Sequence, residues 1–298
     1  MSAVARAWVP RLAVAAAACT LGGCVTGAAQ GLVRDERKES RRLQFTGTAP
    51  HTLDARTFSG SIRVSGDGGN DVRVEAVTTV EAETAEALRT ALLEVVLDTQ
   101  EQGATVVVSV RDGERQACGD STTWRGPAWW DRHRYDAAVT LTVQVPRDVR
   151  VRLCAVNGEE VVVSGIDGDF DVSNVNGRVR LDGMRGSGRA TTVNGAIDAS
   201  FAAAPRDESL FKTVNGAIAV TFPRDLAANL RLKSFNGEFY TDFETTALPA
   251  TPEPARRAGL PRLVYKTRGF TNVRVGAGGP TLTFDTLNGD VRILRAGR

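Results

Sequence analysis

Six Asn-Gly pairs punctuate the second half of the sequence, at Asn157-Gly158, Asn176-Gly177, Asn194-Gly195, Asn215-Gly216, Asn236-Gly237 and Asn288-Gly289. The first five fall 19, 18, 21 and 21 residues apart. A fixed period of roughly 20 residues marks a repeat architecture, in which each unit buries its apolar face only by stacking on a neighbour.

The apolar residues hold a constant phase around each Asn. Four positions before it stand Leu153, Val172, Ala190, Phe211, Leu232 and Phe284, and directly before it Val156, Val175, Val193, Val214, Phe235 and Leu287. Three and five positions after come Val179 and Leu181, Ile197 and Ala199, Ile218 and Val220, Phe239 and Thr241, Val291 and Ile293. Spacing of two predicts short strands with one buried and one wet face. A slip of one residue would turn every buried side chain outward, so the shared phase fixes the register of all copies.

Asn and Gly tolerate positive φ, so each pair marks a corner. A second corner falls midway through most periods, at Gly165 to Gly168, Gly183 to Gly188, Ala204-Pro205 and Pro223 to Asp225. Two architectures fit. Asn-Gly between alternating runs is a strong hairpin signal and suits an antiparallel meander. Constant length and constant corner chemistry favour a parallel β-solenoid, with stacked Asn side chains forming a hydrogen-bonded ladder. The expected class is all-β, and the six corner Asn residues are read as structural.

Units such as Thr192-Val-Asn-Gly-Ala-Ile197 and Thr213-Val-Asn-Gly-Ala-Ile218 resemble those of the bacterial DUF4097 adhesin-like family. The run Val143-Gln-Val-Pro146 into Val149-Arg-Val-Arg-Leu153 is similar to that family's lead-in to its first coil. The likeness spans roughly residues 45 to 294 and implies a β-solenoid envelope protein, with no catalytic residues to carry over. The first repeat departs from the pattern, because Glu160 falls where other copies place Val, Ile or Phe; a bulge or an end coil is expected there. A second departure is the long stretch between Asn236 and Asn288, whose Pro-rich part (244–268) is expected to leave the stack.

The beginning of the chain addresses the compartment. Arg6 and Arg11 precede the short apolar run Leu12 to Ala18, which is too short to span a bilayer as a helix and predicts export with cleavage. Leu21-Gly22-Gly23-Cys24 resembles the bacterial lipobox, which implies removal of residues 1–23 and acylation at Cys24. Several acyl chains there, palmitate among them, would anchor the protein to a membrane. Val25 rather than Asp after the Cys resembles the pattern that releases lipoproteins to an outer membrane, if one exists. Residues 24–44 are low in apolar content and are expected to be a flexible tether.

Residues 45–146 are expected to form a strand-rich cap over repeats occupying 147–298. His51 to Val64 carries the repeat template in degenerate form, with Ser59 in the Asn position. Thr84 to Leu93 has helical spacing with Thr84 as N-cap, and Val95 to Asp98 with Thr105 to Val110 reads as a hairpin.

Functional chemistry is sparse. The net charge of +2 and the scatter of charges leave no basic face for nucleic acid. No acid pair, nucleophile elbow or His cluster suggests catalysis, and no cofactor is expected. Asp167, Asp169 and Asp171 match no calcium motif and read as a solvated strand face rather than a metal site. The richest stretch is 111–136, where Trp124, Arg125, Trp129, Trp130, Arg132 and Tyr135 are side chains typical of binding hot spots. They either contact an envelope protein or glycan, or fold over the stack end as a lid. Cys118 and Cys154 remain once Cys19 and Cys24 are assigned to the leader, and they are expected to pair in a compartment that permits disulfides. The expected function is a non-catalytic, lipid-anchored interaction module of the cell envelope. The alternatives are a structural or stress-related component and a carbohydrate-active enzyme.

Overall fold

A computed structural model describes residues 32–113, 135–249 and 270–297. The described residues form β1 (Val33–Leu43), β2 (Thr52–Ser59), β3 (Ile62–Asp67), β4 (Val72–Ala82), α1 (Ala85–Glu94), β5 (Val95–Gln102), β6 (Thr105–Asp112) and β7 (Tyr135–Pro146). The repeats follow as alternating strands. They are β8 (Arg150–Asn157) and β9 (Glu160–Ser164), β10 (Phe170–Asn176) and β11 (Arg178–Met184), β12 (Gly188–Asn194) and β13 (Ile197–Phe201), then β14 (Ser209–Lys212) and β15 (Ile218–Phe222). Next come β16 (Ala228–Asn236) and β17 (Phe239–Thr241), then β18 (Thr245–Ala247) and β19 (Thr271–Val275), and finally β20 (Thr281–Asn288) and β21 (Val291–Arg295).

Two large, mostly parallel sheets result. One runs β1-β4-β7-β3-β9-β11-β13-β15-β21-β17, the other β18-β19-β16-β20-β14-β12-β10-β8-β2-β6-β5. At every Asn-Gly the chain crosses from the second sheet to the first, and at the Gly- or Pro-containing corner it crosses back. Neighbouring repeats pair in parallel, as in Val172↔Ala190 and Val179↔Ile197. Antiparallel pairing is confined to the flanks: β1 with β4, β4 with β7, β5 with β6, β16 with β19 and β18 with β19. The meander is thereby ruled out for the repeats.

The inward residues of both sheets form one apolar core. Phe201 lies 5.0 Å from Phe222, 6.1 Å from Phe211 and 6.2 Å from Phe170, between ring centroids. Phe211 stacks on Phe284 at 5.2 Å. Each fully buried Phe contributes about 1.5–3 kcal/mol of transfer free energy, so this cluster of five rings ties four repeats together.

The last repeat is out of chain order. β20 lies between β14 and β16, and β21 between β15 and β17, so the Asn288 unit is inserted between those of Asn215 and Asn236. Chain order would place the Asn288 unit at the end of the stack; the Asn236 unit stands there instead. The long stretch after Asn236 makes the insertion possible by letting the chain pass the end unit and return. Part of it (245–247) is strand β18 rather than excursion, and residues 250–269, with Val264 to Lys266, lie outside the described residues.

Two further expectations are revised. Residues 33–43 of the expected tether form β1, paired with β4 from Val33↔Ala82 to Leu43↔Val72. Their charges suit an edge strand, where Arg34 meets Glu81 at 3.4 Å and Lys38 meets Glu36 at 3.3 Å, and such charge discourages edge-to-edge association. The boundary at 146/147 also disappears, because β2 and β3 pair with β8 and β9 as an additional repeat, placing Ser59 opposite Asn157. The first Asn-Gly corner holds one extra residue: Val161, not Glu160, aligns with Val179 and is buried. That is the expected bulge, and it lies inside the stack. α1 begins where its cap residue predicts, with the Thr84 hydroxyl accepting from the Ala87 N–H at 3.1 Å.

Candidate interaction surface

The Asn edge is built from three parallel rows. In the outermost, each Asn side chain donates from Nδ2 to Oδ1 of its neighbour. Asn176 donates to Asn157 at 2.8 Å, Asn194 to Asn176 at 2.9 Å and Asn215 to Asn194 at 2.9 Å. Asn288 then donates to Asn215 at 2.7 Å and Asn236 to Asn288 at 2.8 Å. The ladder passes through the inserted repeat without a break, in the order set by the sheets rather than by the chain.

A second row lies beneath, two residues before each Asn. Thr192, Thr213, Thr286 and Ser234 donate their hydroxyls to the carbonyls of Gly177, Gly195, Gly216 and Gly289 at 2.9, 2.9, 3.1 and 3.1 Å. Asn174 does the same with its amide to Gly158 at 3.1 Å. All but Ser234 are buried, and a buried carbonyl left without a donor costs about 1–3 kcal/mol. The corner glycines make this approach possible. A Cβ on Gly195 or Gly216 would fall inside the contact distance of the carbonyl oxygen of the preceding corner glycine. Space, more than backbone angle, therefore demands glycine there.

The third row is apolar and faces outward. The residues directly before the Asn positions stack in the order Phe58, Val156, Val175, Val193, Val214, Leu287 and Phe235, as the strand registers place them. The row is most exposed at its far end, with Leu287 at 46% and Phe235 at 56%; Val193 is 40% exposed and Val214, between Val193 and Leu287, is half-buried. Adjacent strands lie about 4.8 Å apart, so the row is roughly 29 Å long. On the edge strand β17, across the corner in the other sheet, Phe239 and Tyr240 are also more than a third exposed, Phe239 on the inward phase and Tyr240 on the outward one. The Tyr240 hydroxyl donates to Glu238 at 2.5 Å, and that bond raises its pKa above the ordinary phenol value. Arg292 lies 5.8 Å from the Tyr240 ring. Scattered apolar residues are normal on a surface, but a contiguous outward row that ends in the exposed Leu287 and Phe235 has the composition of a contact patch.

Of the other candidate residues, Tyr135 is corrected. It is buried, not offered to a partner, and its hydroxyl bonds Glu94 at 2.6 Å and lies 3.3 Å from Asp112. Burial, then the bond to Glu94, raises its pKa far above the usual phenol range. Trp124, Arg125, Trp129, Trp130, Arg132, Cys118 and Cys24 lie outside the described residues. Cys154, half-buried on the outward phase of β8, is disulfide-bonded.

Of the three expected strand aspartates, only Asp171 is on a strand. Asp167 and Asp169 line a polar hollow of about 410 Å³ with Arg185, Ser187, Arg206 and Asp207. Arg185 lies 3.4 Å from Asp167 and Arg150 2.8 Å from Asp169, so guanidinium groups already neutralise these acids. No metal-holding cluster of His, Cys, Asp or Glu occurs among the described residues.

No protein-family profile matches the sequence, and no curated protein matches it. Among solved structures, a candidate cell adhesion protein from Clostridium sporogenes is similar over 88% of this chain and 100% of its own, at 8% identity and a TM-score of 0.44. A candidate adhesin from Bacteroides fragilis covers 87% and 97% at 9% identity and a TM-score of 0.29. Another from Parabacteroides merdae covers 88% and 97% at 7% identity and 0.26. At such identities and scores, nothing functional follows for this chain.

Proposed function

We propose that the chain is a non-catalytic binding module of the bacterial cell envelope, built as a parallel β-solenoid and anchored by lipid at Cys24. One observation carries the binding role: the outward apolar row, exposed at Val193, Leu287 and Phe235. The partner is an envelope protein or glycan that covers these side chains. The membrane anchorage rests on the lipobox-like Leu21-Gly22-Gly23-Cys24. Trp124, Arg125, Trp129, Trp130 and Arg132 are a second contact in this reading. Cys154, being disulfide-bonded, supports its pairing with Cys118, which ties their segment to β8.

The test is a Phe235→Ser, Leu287→Ser double variant beside a Trp129→Ala, Trp130→Ala variant, each compared with the parent for retention of envelope-extract components and polysaccharides. Loss of retention in the first variant, with an unchanged unfolding curve, supports the row as the contact. Retention equal to the parent in both variants rejects the binding role in favour of a structural component. Turnover of any polysaccharide rejects the non-catalytic reading.

A further inference from the structure

We propose that Asn236 is a site of spontaneous self-modification, converting to aspartate and isoaspartate through a cyclic imide, while the stack protects the other corners. The inference stands independently of the binding role.

The chemistry needs a backbone nitrogen free to reach the preceding side-chain carbonyl. Asn-Gly offers the least hindered case, because the glycine lacks a Cβ. The chain's other Asn residues precede Asp71, Val175, Leu230 and Val273, whose side chains obstruct the approach. The nitrogen of Gly237 attacks Cγ of Asn236, so an N–Cγ bond forms and the Cγ–Nδ2 bond breaks. Nδ2 leaves as ammonia, carrying the proton from the Gly237 amide. One water then opens the imide at either carbonyl, giving aspartate or isoaspartate.

The stack withholds this nitrogen at four corners. The N–H groups of Gly177, Gly195, Gly216 and Gly289 donate to the backbone carbonyls of Asn194, Asn215, Asn288 and Asn236 at 2.9, 3.0, 2.9 and 2.9 Å. At the Asn157 corner the glycine itself, Gly158, is buried. Gly237 belongs to the end unit, beyond which no further Asn repeat stands. Its N–H has no hydrogen-bond partner among the described residues, and it is the one exposed glycine of the six corners. The side chain is also held less firmly. Asn215 donates to Asn194 and accepts from Asn288, whereas Asn236 donates to Asn288 and accepts from no further rung. Every residue from Phe235 to Asp242 is exposed, so water reaches the imide.

The experiment is to hold the full chain in mildly alkaline buffer for days and map amide-to-acid conversion at all six corners by mass spectrometry. A parallel sample in denaturant serves as reference. In the folded chain Asn236 converts at close to its denatured rate, and Asn176, Asn194, Asn215 and Asn288 convert at least about tenfold more slowly than theirs, since they react only through opening of the stack. Asn236→Gln removes the signal at that position without raising it elsewhere. Conversion of Asn236 as slow as that of Asn194, or equal conversion at all six corners, overturns the proposal.

Discussion

The inserted repeat gives two phenylalanines opposite fates from those that chain order would assign. Phe284 lies on β20, between two neighbouring strands, and is fully buried against Phe211. Phe239 occupies the inward phase of the end strand β17 and is 38% exposed. Phe284→Ala removes a ring from a closed core and leaves a cavity, a change that costs about 3–5 kcal/mol. Phe239→Ala gives up only the covered part of its ring and opens to solvent rather than to a void, so the loss is roughly 1–2 kcal/mol. Against a total stability of about 5–15 kcal/mol, the first substitution removes a large share and the second a small one. Urea unfolding followed by far-ultraviolet circular dichroism reads both, with constant m-values showing that the extent of unfolding is unchanged. If the repeats stacked in chain order, β17 would lie inside and β20 at the end, and the ranking would reverse. Equal losses, or a larger loss for Phe239→Ala, refute the insertion.

Other consequences follow from the rows of the Asn edge. Thr213→Val keeps the shape but takes the buried hydroxyl donor from the Gly195 carbonyl, so stability falls by about 1–3 kcal/mol in the same urea assay. Asn194→Ala breaks two exposed amide bonds and Asn236→Ala one; at about 0.5–1 kcal/mol each, the interior variant loses roughly twice as much. Tyr135 holds its proton in the folded state well above the pH at which it loses it unfolded. Its contribution is complete below pH of about 10 and declines above it at up to about 1.4 kcal/mol per pH unit, a slope that Tyr135→Phe reduces in alkaline unfolding curves.

Much of this architecture was legible because the repeat signal is local. The phase of Val179, Ile197, Ile218 and Val291 gives the inward face, and Ser59 in the Asn position gives the added repeat. The cap at Thr84 and the β5–β6 hairpin follow from short-range chemistry. The stacking order was not legible, because every corner carries the same Asn-Gly and no local residue distinguishes which unit lies beside which. β1 was hidden for another reason. An edge strand with both faces largely wet needs no apolar alternation, so its charged run reads as tether. The apolar row was visible as composition, though no face was assigned to it. Its odd offset from the inward residues, directly before the Asn rather than two or four before, carried the missing sign. Tyr135 was misplaced because its aromatic setting resembles a contact loop, while its burial depends on Glu94 and Asp112 far along the chain.

The out-of-order repeat also bears on how the protein is made. A chain emerging from the ribosome presents β14 and β15 with their far edges open, and the next unit to appear, β16 and β17, carries the same corner phase. Its lasting neighbour, β20 and β21, is synthesised after it, so any earlier pairing of β16 with β14 must give way. Completion of the stack therefore waits on β20 and β21, and a chain cut short before Thr281 has lost not the tip of the stack but the layer that joins that tip to the rest.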